Sequence, residues 1–210
     1  MSPPMPAGGG VKARARQESQ RARILEAARK CFSEGGFHGT GMSAIAREAG
    51  MSQGLIYRYF TNKAAIIQAI TEEQREERRE ALAGIATCSE LVERLLEKID
   101  AWRESGTGGP CEGGFDAALF LEVSAEATRD ADIAAVVMSQ EPQIWEDFEA
   151  LVRRSAEVAG KPLAPDALRR RTVVMRCLVD GLILCYVRDP GQDREVLRKS
   201  LQDAVAALCL

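Results

Sequence analysis

Apolar residues recur at helical spacing along nearly the whole chain and period-two alternation is absent, so the pattern predicts an all-α protein of about nine helices. Between residues 42 and 60 the pattern describes two short helices joined by a tight turn. Met42, Ile45, Ala46 and Ala49 fall at i, i+3, i+4 and i+7 and form one apolar face, leaving Ser43, Arg47 and Glu48 outward. Gly50 is placed to end this helix in the left-handed conformation, and Ser52 to cap the next by accepting a backbone N–H. The second helix buries Ile56 and Phe60 at i, i+4. It turns Gln53, Gly54, Tyr57, Arg58 and Tyr59 outward, a set better suited to phosphates and base edges than to solvent alone.

Ahead of this pair, residues 17–35 read as a helix with Ile24, Ala28, Cys31 and Phe32 on one face, stopped by Gly35-Gly36. The loop 36–41 carries Phe37 as a plug for a small core, His38 at the surface, and Thr40, whose hydroxyl stands where a helix start meets a phosphate. Thr61 or Asn62 caps a long helix from Lys63 to about Gly84. Its first half (Ala64, Ile66, Ile67, Ile70) is apolar on one side. Residues 72–80 alternate charge at i, i+3 and i+4, as expected of a solvated face or a strut between domains. Amphipathic or apolar helices then follow at 89–103, 115–128, 132–159, 166–188 and 195–208, with a Gly-rich break at 106–114. Pro142 is expected to bend or break the helix 132–159.

Composition narrows the function classes. A chain of 210 residues with 46% apolar content can bury a sizeable core. No stretch reaches the roughly 20 apolar residues of a membrane helix, and the first residues lack a secretory pattern, so a cytoplasmic protein without membrane contact is expected. The net charge of −3 hides a segregation. Residues 1–63 hold 10 Lys and Arg against 4 acids, net +6, whereas the remainder holds 18 against 27, net −9. A basic end on an acidic trunk suits an approach to a polyanion by that end alone. The basic run Arg14, Arg16, Arg21 and Arg23 reads equally as a solvated tail or as an arm reaching phosphates or the minor groove. Six scattered cysteines and one histidine argue against a zinc site and for reduced thiols, with Cys88 and Cys111 the candidates for any redox role. No cofactor motif is present.

The string ILEAARKCFSEGGFHGTGMSAIAREAGMSQGLIYRYFTNKAAIIQAI, with I-A-x-x-A-G-x-S-x-G-x-x-Y-x-x-F-x-x-K inside it, resembles the DNA-binding domain of the tetracycline-repressor (TetR) family of bacterial regulators. Leu178–Leu184, LVDGLIL, resembles the family's penultimate helix. The composition of the amino terminus leads us to expect a disordered basic tail at 1–16, and the resemblance implies a helix-turn-helix domain at 17–63 and a helical ligand-binding and dimerisation domain at 64–210. It further implies a homodimer through the last two helices, bound to double-stranded operator DNA and released by a small-molecule inducer. Carried over by position, Thr40 and Ser52 would contact phosphates. Gln53, Gly54 and Leu55 would face bases, Tyr57, Tyr59 and Lys63 would hold the backbone, and Arg47 would reach a base or a phosphate. Leu55 stands where many members have Thr, and Gly41 where Ser or Thr is common, which bears on the operator sequence rather than on the domain.

For the inducer, Phe115, Leu119, Glu122 and Glu126 share one face of the helix 115–128, putting two carboxylates on an apolar surface. They would either pair internally, for instance with Arg176 or Arg129, or receive a ligand. Trp102, Phe120, Trp145, Phe148 and Met175 would line the same cavity, and composition favours a hydrophobic inducer. Arg176 and Asp180, one turn apart, are expected to pair within the helix or across a dimer. The rival readings are an adaptor of the same fold with no inducer and a thiol enzyme using Cys31 and His38, the second opposed by the apolar surroundings of Cys31.

Overall fold

The computed structural model describes residues 8–105 and 117–209, and Cys111 and Phe115 lie outside them. Among the described residues there are nine helices and no strand: α1 (Gly8–Gly35), α2 (Met42–Glu48), α3 (Gln53–Tyr57), α4 (Lys63–Ala83), α5 (Cys88–Ser105), α6 (Ala117–Glu126), α7 (Ala131–Val158), α8 (Pro165–Arg188) and α9 (Arg194–Cys209). The chain divides into two compact units, Met1–Ile70 and Thr71–Leu210. The boundary thus falls beyond Lys63. The apolar face of the first turns of α4 draws them into the first unit, where Ile66, Ile67 and Ile70 are fully buried.

In the first unit α1 packs on α2, and α2 on α3. Ile24, Leu25, Ala28 and Phe32 of α1 are buried with Ile45, Ala46, Ile56 and Phe60. Phe37 packs on Phe32 with ring centroids 5.1 Å apart. Helix α1 begins at Gly8, so residues 8–16, expected as a disordered tail, are helical. Lys12 to Gln17 combine Ala, Lys, Arg and Gln with no glycine or proline, so once the packed turns around Ile24 are formed, extension costs little. Lys12, Arg14 and Arg16 are exposed.

In the second unit α7 runs along α8, α5 along α9, and α6 contacts both α7 and α8. Leu91, Leu96, Ile99 and Trp102 of α5 meet Phe148, Leu151 and Val152 of α7, Met175, Val179, Leu182 and Tyr186 of α8, and Leu201 and Val205 of α9. Trp102 and Tyr186 pack with centroids 5.2 Å apart. Helix α7 passes through Pro142 without a break, contrary to one of the two outcomes expected there. An interior proline costs about 3 kcal/mol. Burial of Ile133 before it and Phe148, Leu151 and Val152 after it, at about 1.5–3 kcal/mol each, is ample to hold both halves in one helix.

Most helix starts are written locally. Asp130 caps α7 by accepting from Asp132 and Ile133 N–H at 2.9 and 3.2 Å. Asp193 caps α9 in the same way, at 2.8 and 3.0 Å to Glu195 and Val196. Of the two candidates before α4 it is Asn62 that caps, its Oδ1 accepting from Ala65 N–H at 2.9 Å.

Candidate nucleic-acid interface

The turn between α2 and α3 is built as the residue types require. Gly50 has φ of 62°, its N–H donates to Arg47 O at 3.1 Å, and Met51 N–H donates to Ala46 O at 2.9 Å, a complete Schellman closure. Ser52 then caps α3, its hydroxyl accepting from Leu55 N–H at 3.3 Å. Arg23, on α1, donates to Ala49 O at 2.7 Å and so fixes the end of α2 from the other side. Helix α3 stops at Tyr57, sooner than the pattern through Phe60 suggested, and Tyr59 and Phe60 close on Ile56 O through their N–H groups at 2.9 Å.

Against this frame Gln53, Gly54, Tyr57 and Arg58 are exposed together, and Arg47 is exposed on α2. Tyr57 is 47% exposed, an unusual position for a large aromatic that a core could have used. Ser52 is exposed, whereas Leu55 and Tyr59 are half-buried. Gly54 has neither a positive φ nor any atom within 4 Å of where a Cβ would stand. Nothing in the head calls for glycine there, although glycine inside a helix costs about 0.5–1 kcal/mol relative to alanine.

Two expected contacts take other roles. Thr40 is only 4% exposed, and its hydroxyl shares its hydrogen between Cys31 O at 2.9 Å and Gly36 O at 2.8 Å. It ties the loop 36–41 to the end of α1 instead of meeting a phosphate, and Gly41 serves as the N-cap of α2 with no side-chain bond. The half-buried Lys63 donates from Nζ to Phe37 O at 2.9 Å and lies 4.5 Å from the centre of the Phe37 ring. That ammonium ties the loop 36–41 to the start of α4 through the carbonyl and ring of Phe37, which engage part of its donor capacity. Arg21 likewise lies 5.5 Å over the Phe60 ring. Arg21 and Arg23 therefore have structural work within a run read from sequence as tail or arm, and their partners lie too far along the chain for any local pattern to reveal.

Most of the residues expected to line an inducer cavity are packed into the trunk core. Trp102, Phe148 and Met175 are buried in the core, and Phe120 and Trp145 are half-buried, with Trp145 Nε1 donating to Glu149 at 3.2 Å. Glu126 is buried and meets Arg129 at 3.1 Å, one of the internal partners foreseen, while Glu122 is exposed. The buried face of α6 runs through Leu119, Val123 and Glu126, so Glu122 falls outside it and the paired carboxylates do not share an apolar surface. A cavity of about 10 Å³ between Cys88, Val152, Leu163, Arg171 and Met175 holds room for one water. Met175 alone of the expected residues touches it. Cys88 is buried in this core rather than poised for oxidation. Burial also pushes the Cys31 thiol above its ordinary value, aided by the carboxylates of Glu48 and Glu34, which disfavours the thiolate a Cys31 enzyme would need. Arg176 forms a two-pronged pair with Glu141 (2.5 and 2.7 Å) and reaches Asp180 at 3.7 Å, the intrahelical contact anticipated.

Residues 24–70 match the family model described as bacterial regulatory proteins, tetR family, and residues 115–210 match that of the C-terminal part of BetI-type transcriptional repressors. The HTH-type transcriptional regulator UidR of Escherichia coli K12 is 35% identical over 150 residues, covering 70% of each chain. Among solved structures, Salmonella enterica GusR superposes with a TM-score of 0.68 at 25% identity, covering 90% of this chain and 96% of that one. A regulator from Saccharomonospora viridis in complex with choline superposes at 0.67 and 22% identity, covering 90% and 96%.

Proposed function

The chain belongs to the TetR family of bacterial regulatory proteins, and from that premise we propose that it is a homodimeric repressor that leaves a palindromic operator when its trunk binds a small molecule. The observation that carries the DNA half of this reading is the exposed set Gln53, Gly54, Tyr57 and Arg58 on a helix held by Ser52, Gly50 and Arg23, with glycine where the head has open space. Two such helices, about 34–36 Å apart in a dimer, meet successive major grooves. Gln53 and Leu55 face bases. Ser52, Tyr57, Tyr59 and Arg47 hold the backbone, and Lys63 reaches it only with whatever its ammonium has left beyond Phe37.

The dimer half rests on α8. Val173, Val174, Cys177 and Cys185 are exposed along it and Gly181 is half-buried between them, an apolar strip that a second copy of the same helix would cover. The ligand half draws on a structural neighbour solved in complex with choline. Release follows from linkage: the ligand frees DNA only as far as it prefers the conformation that fits DNA less well. An active site is no part of this reading, and a cytoplasmic location accords with a regulator that meets DNA.

A second reading is an adaptor of the same fold with no inducer; the cavity beside Met175, at about 10 Å³, is by itself too small for an organic ligand. Selection of bound duplexes from a random pool by the full chain, followed by a small-molecule screen for release, separates the two. Enrichment of an inverted repeat with release by some compound is the expected result. Enrichment without release by any compound supports the adaptor, and no enrichment sinks both.

A further inference from the structure

Within the second unit, α4, α7 and α8 bring together three guanidinium groups (Arg75, Arg78, Arg176) and three carboxylates (Glu141, Asp147, Asp180). Arg176 and Glu141 satisfy each other through two bonds. Arg78 does not share in that. Its Nε and Nη2 are buried and have no hydrogen-bond partner among the described residues, and the same holds for Arg75 Nε and for Asp147 Oδ2. Nε–H and the adjacent Nη2–H point from one edge of the guanidinium as parallel donors, the fork that a carboxylate's two oxygens fit. A buried donor without an acceptor loses its bond to water and gains none in return, so an arrangement of this kind calls for an explanation. Burial pulls the Arg78 guanidinium below its ordinary value, with Asp147 opposing the shift and Arg176 and Arg75 adding to it. Arg78 and Asp147 thus attract each other, yet no ion pair forms between them among the described residues.

We propose that the Nε–Nη2 edge of Arg78, with Arg75 and Asp147 in its electrostatic neighbourhood, is the seat of a small organic ligand's carboxylate, a hydroxyl of the same ligand donating to Asp147 Oδ2. The unmet groups are donors on Arg78 and an acceptor on Asp147, so the complement must carry acceptors and a donor. A hydroxy acid does. A single negative charge fits better than a double one, because Glu141, Asp147 and Asp180 already surround the three arginines. This assignment deepens the ligand-responsive reading above and rests on it, and it replaces the hydrophobic inducer that composition favoured with a polar anion. Arg75 and Arg78 stand on α4, the one helix whose residues belong to both units, so a ligand there acts on the segment that enters the head.

The test uses the full chain without DNA, by calorimetry and thermal shift, with gluconate as the hydroxy acid, hexanoate as the plain carboxylate, sorbitol as the neutral polyol and inorganic phosphate as the dianion. Saturable binding in the order gluconate, hexanoate, then sorbitol is expected. Arg78→Lys keeps the charge and removes the fork, and should weaken gluconate by roughly tenfold or more. Asp147→Asn should narrow the gap between gluconate and hexanoate. No saturable binding of either carboxylate, binding of sorbitol or phosphate as tight as that of gluconate, or gluconate binding indifferent to Arg78→Lys would overturn the assignment. The comparison of probes on the unaltered protein decides the matter even if a variant misfolds. The two readings fail separately: release of DNA by a molecule that ignores Arg78 removes this seat and keeps the regulator, whereas gluconate binding by a chain that selects no DNA keeps the seat and removes the repressor.

Discussion

Replacing Gly54 by alanine should push stability and DNA affinity in opposite directions. The position is second in α3, its φ is not positive, and no atom lies within 4 Å of the added Cβ. The free head therefore accepts the methyl without a clash. Alanine restricts the unfolded chain and suits the helix, so the gain is about 0.5–1 kcal/mol. Under the proposed mode of DNA binding the same methyl would stand between the backbone of the reading helix and the groove. Pushing that helix outward should cost about 1–3 kcal/mol per half-site, the scale of a mismatched base pair. Chemical denaturation followed by circular dichroism measures the first quantity, and fluorescence anisotropy on the selected operator at fixed salt measures the second. A stabilised protein with undiminished affinity would refute the reasoning, because glycine would then have no role in either state.

Four further outcomes follow from particular contacts. Tyr57→Ala should weaken operator binding while leaving helix content intact and midpoint temperature little changed, since nearly half of the residue is exposed; a large fall in stability would mark it as packing instead. Lys63→Met should destabilise the head by about 1–2 kcal/mol through loss of the Phe37 contacts, and reduce the salt slope of DNA binding by less than one unit, where a free phosphate ligand would take away nearly a whole one. Asp180 is held above its ordinary value of 3.8 by burial, against the pull of Arg176, so the stability it contributes is present below that value and lost as pH rises through the raised one. Asp180→Asn should accordingly be the more stable form at neutral pH, with the advantage vanishing in acid, as urea titrations at several pH values would reveal. Val174→Arg on α8 should yield monomers in sedimentation velocity; an unchanged dimer would move the interface elsewhere.

What could be read before the structure was known is what depends on near neighbours. Gly50 and Ser52 mark the turn because a left-handed residue and an N-cap have short lists of suitable side chains, and the apolar spacing of Met42, Ile45 and Ala46 fixes which side of α2 is inside. Lys63 defied the reading because its partner, Phe37 O, is brought near only by the tertiary fold, and Thr40 because its hydroxyl turns back to Gly36 O and to Cys31 O at the end of α1. Residues 8–16 looked like tail because polar sequence without an apolar face resembles disorder, although such residues readily prolong a helix already anchored elsewhere. In the trunk, helical periodicity grouped Glu122 with Glu126, yet the width of the buried face depends on where neighbouring helices lie. The Arg78 and Asp147 arrangement is invisible to any local pattern, since its members come from separate helices and what distinguishes them is a lack of partners.

The ties made by Arg23, Thr40 and Lys63 to backbone carbonyls have a thermodynamic corollary. With its reading helix already clamped, the head has little conformational freedom to surrender when it docks. Association should then carry only the modest negative heat capacity change of the apolar area removed from water, without the large extra one that accompanies folding on contact. Its speed should be governed by charge steering rather than by rearrangement.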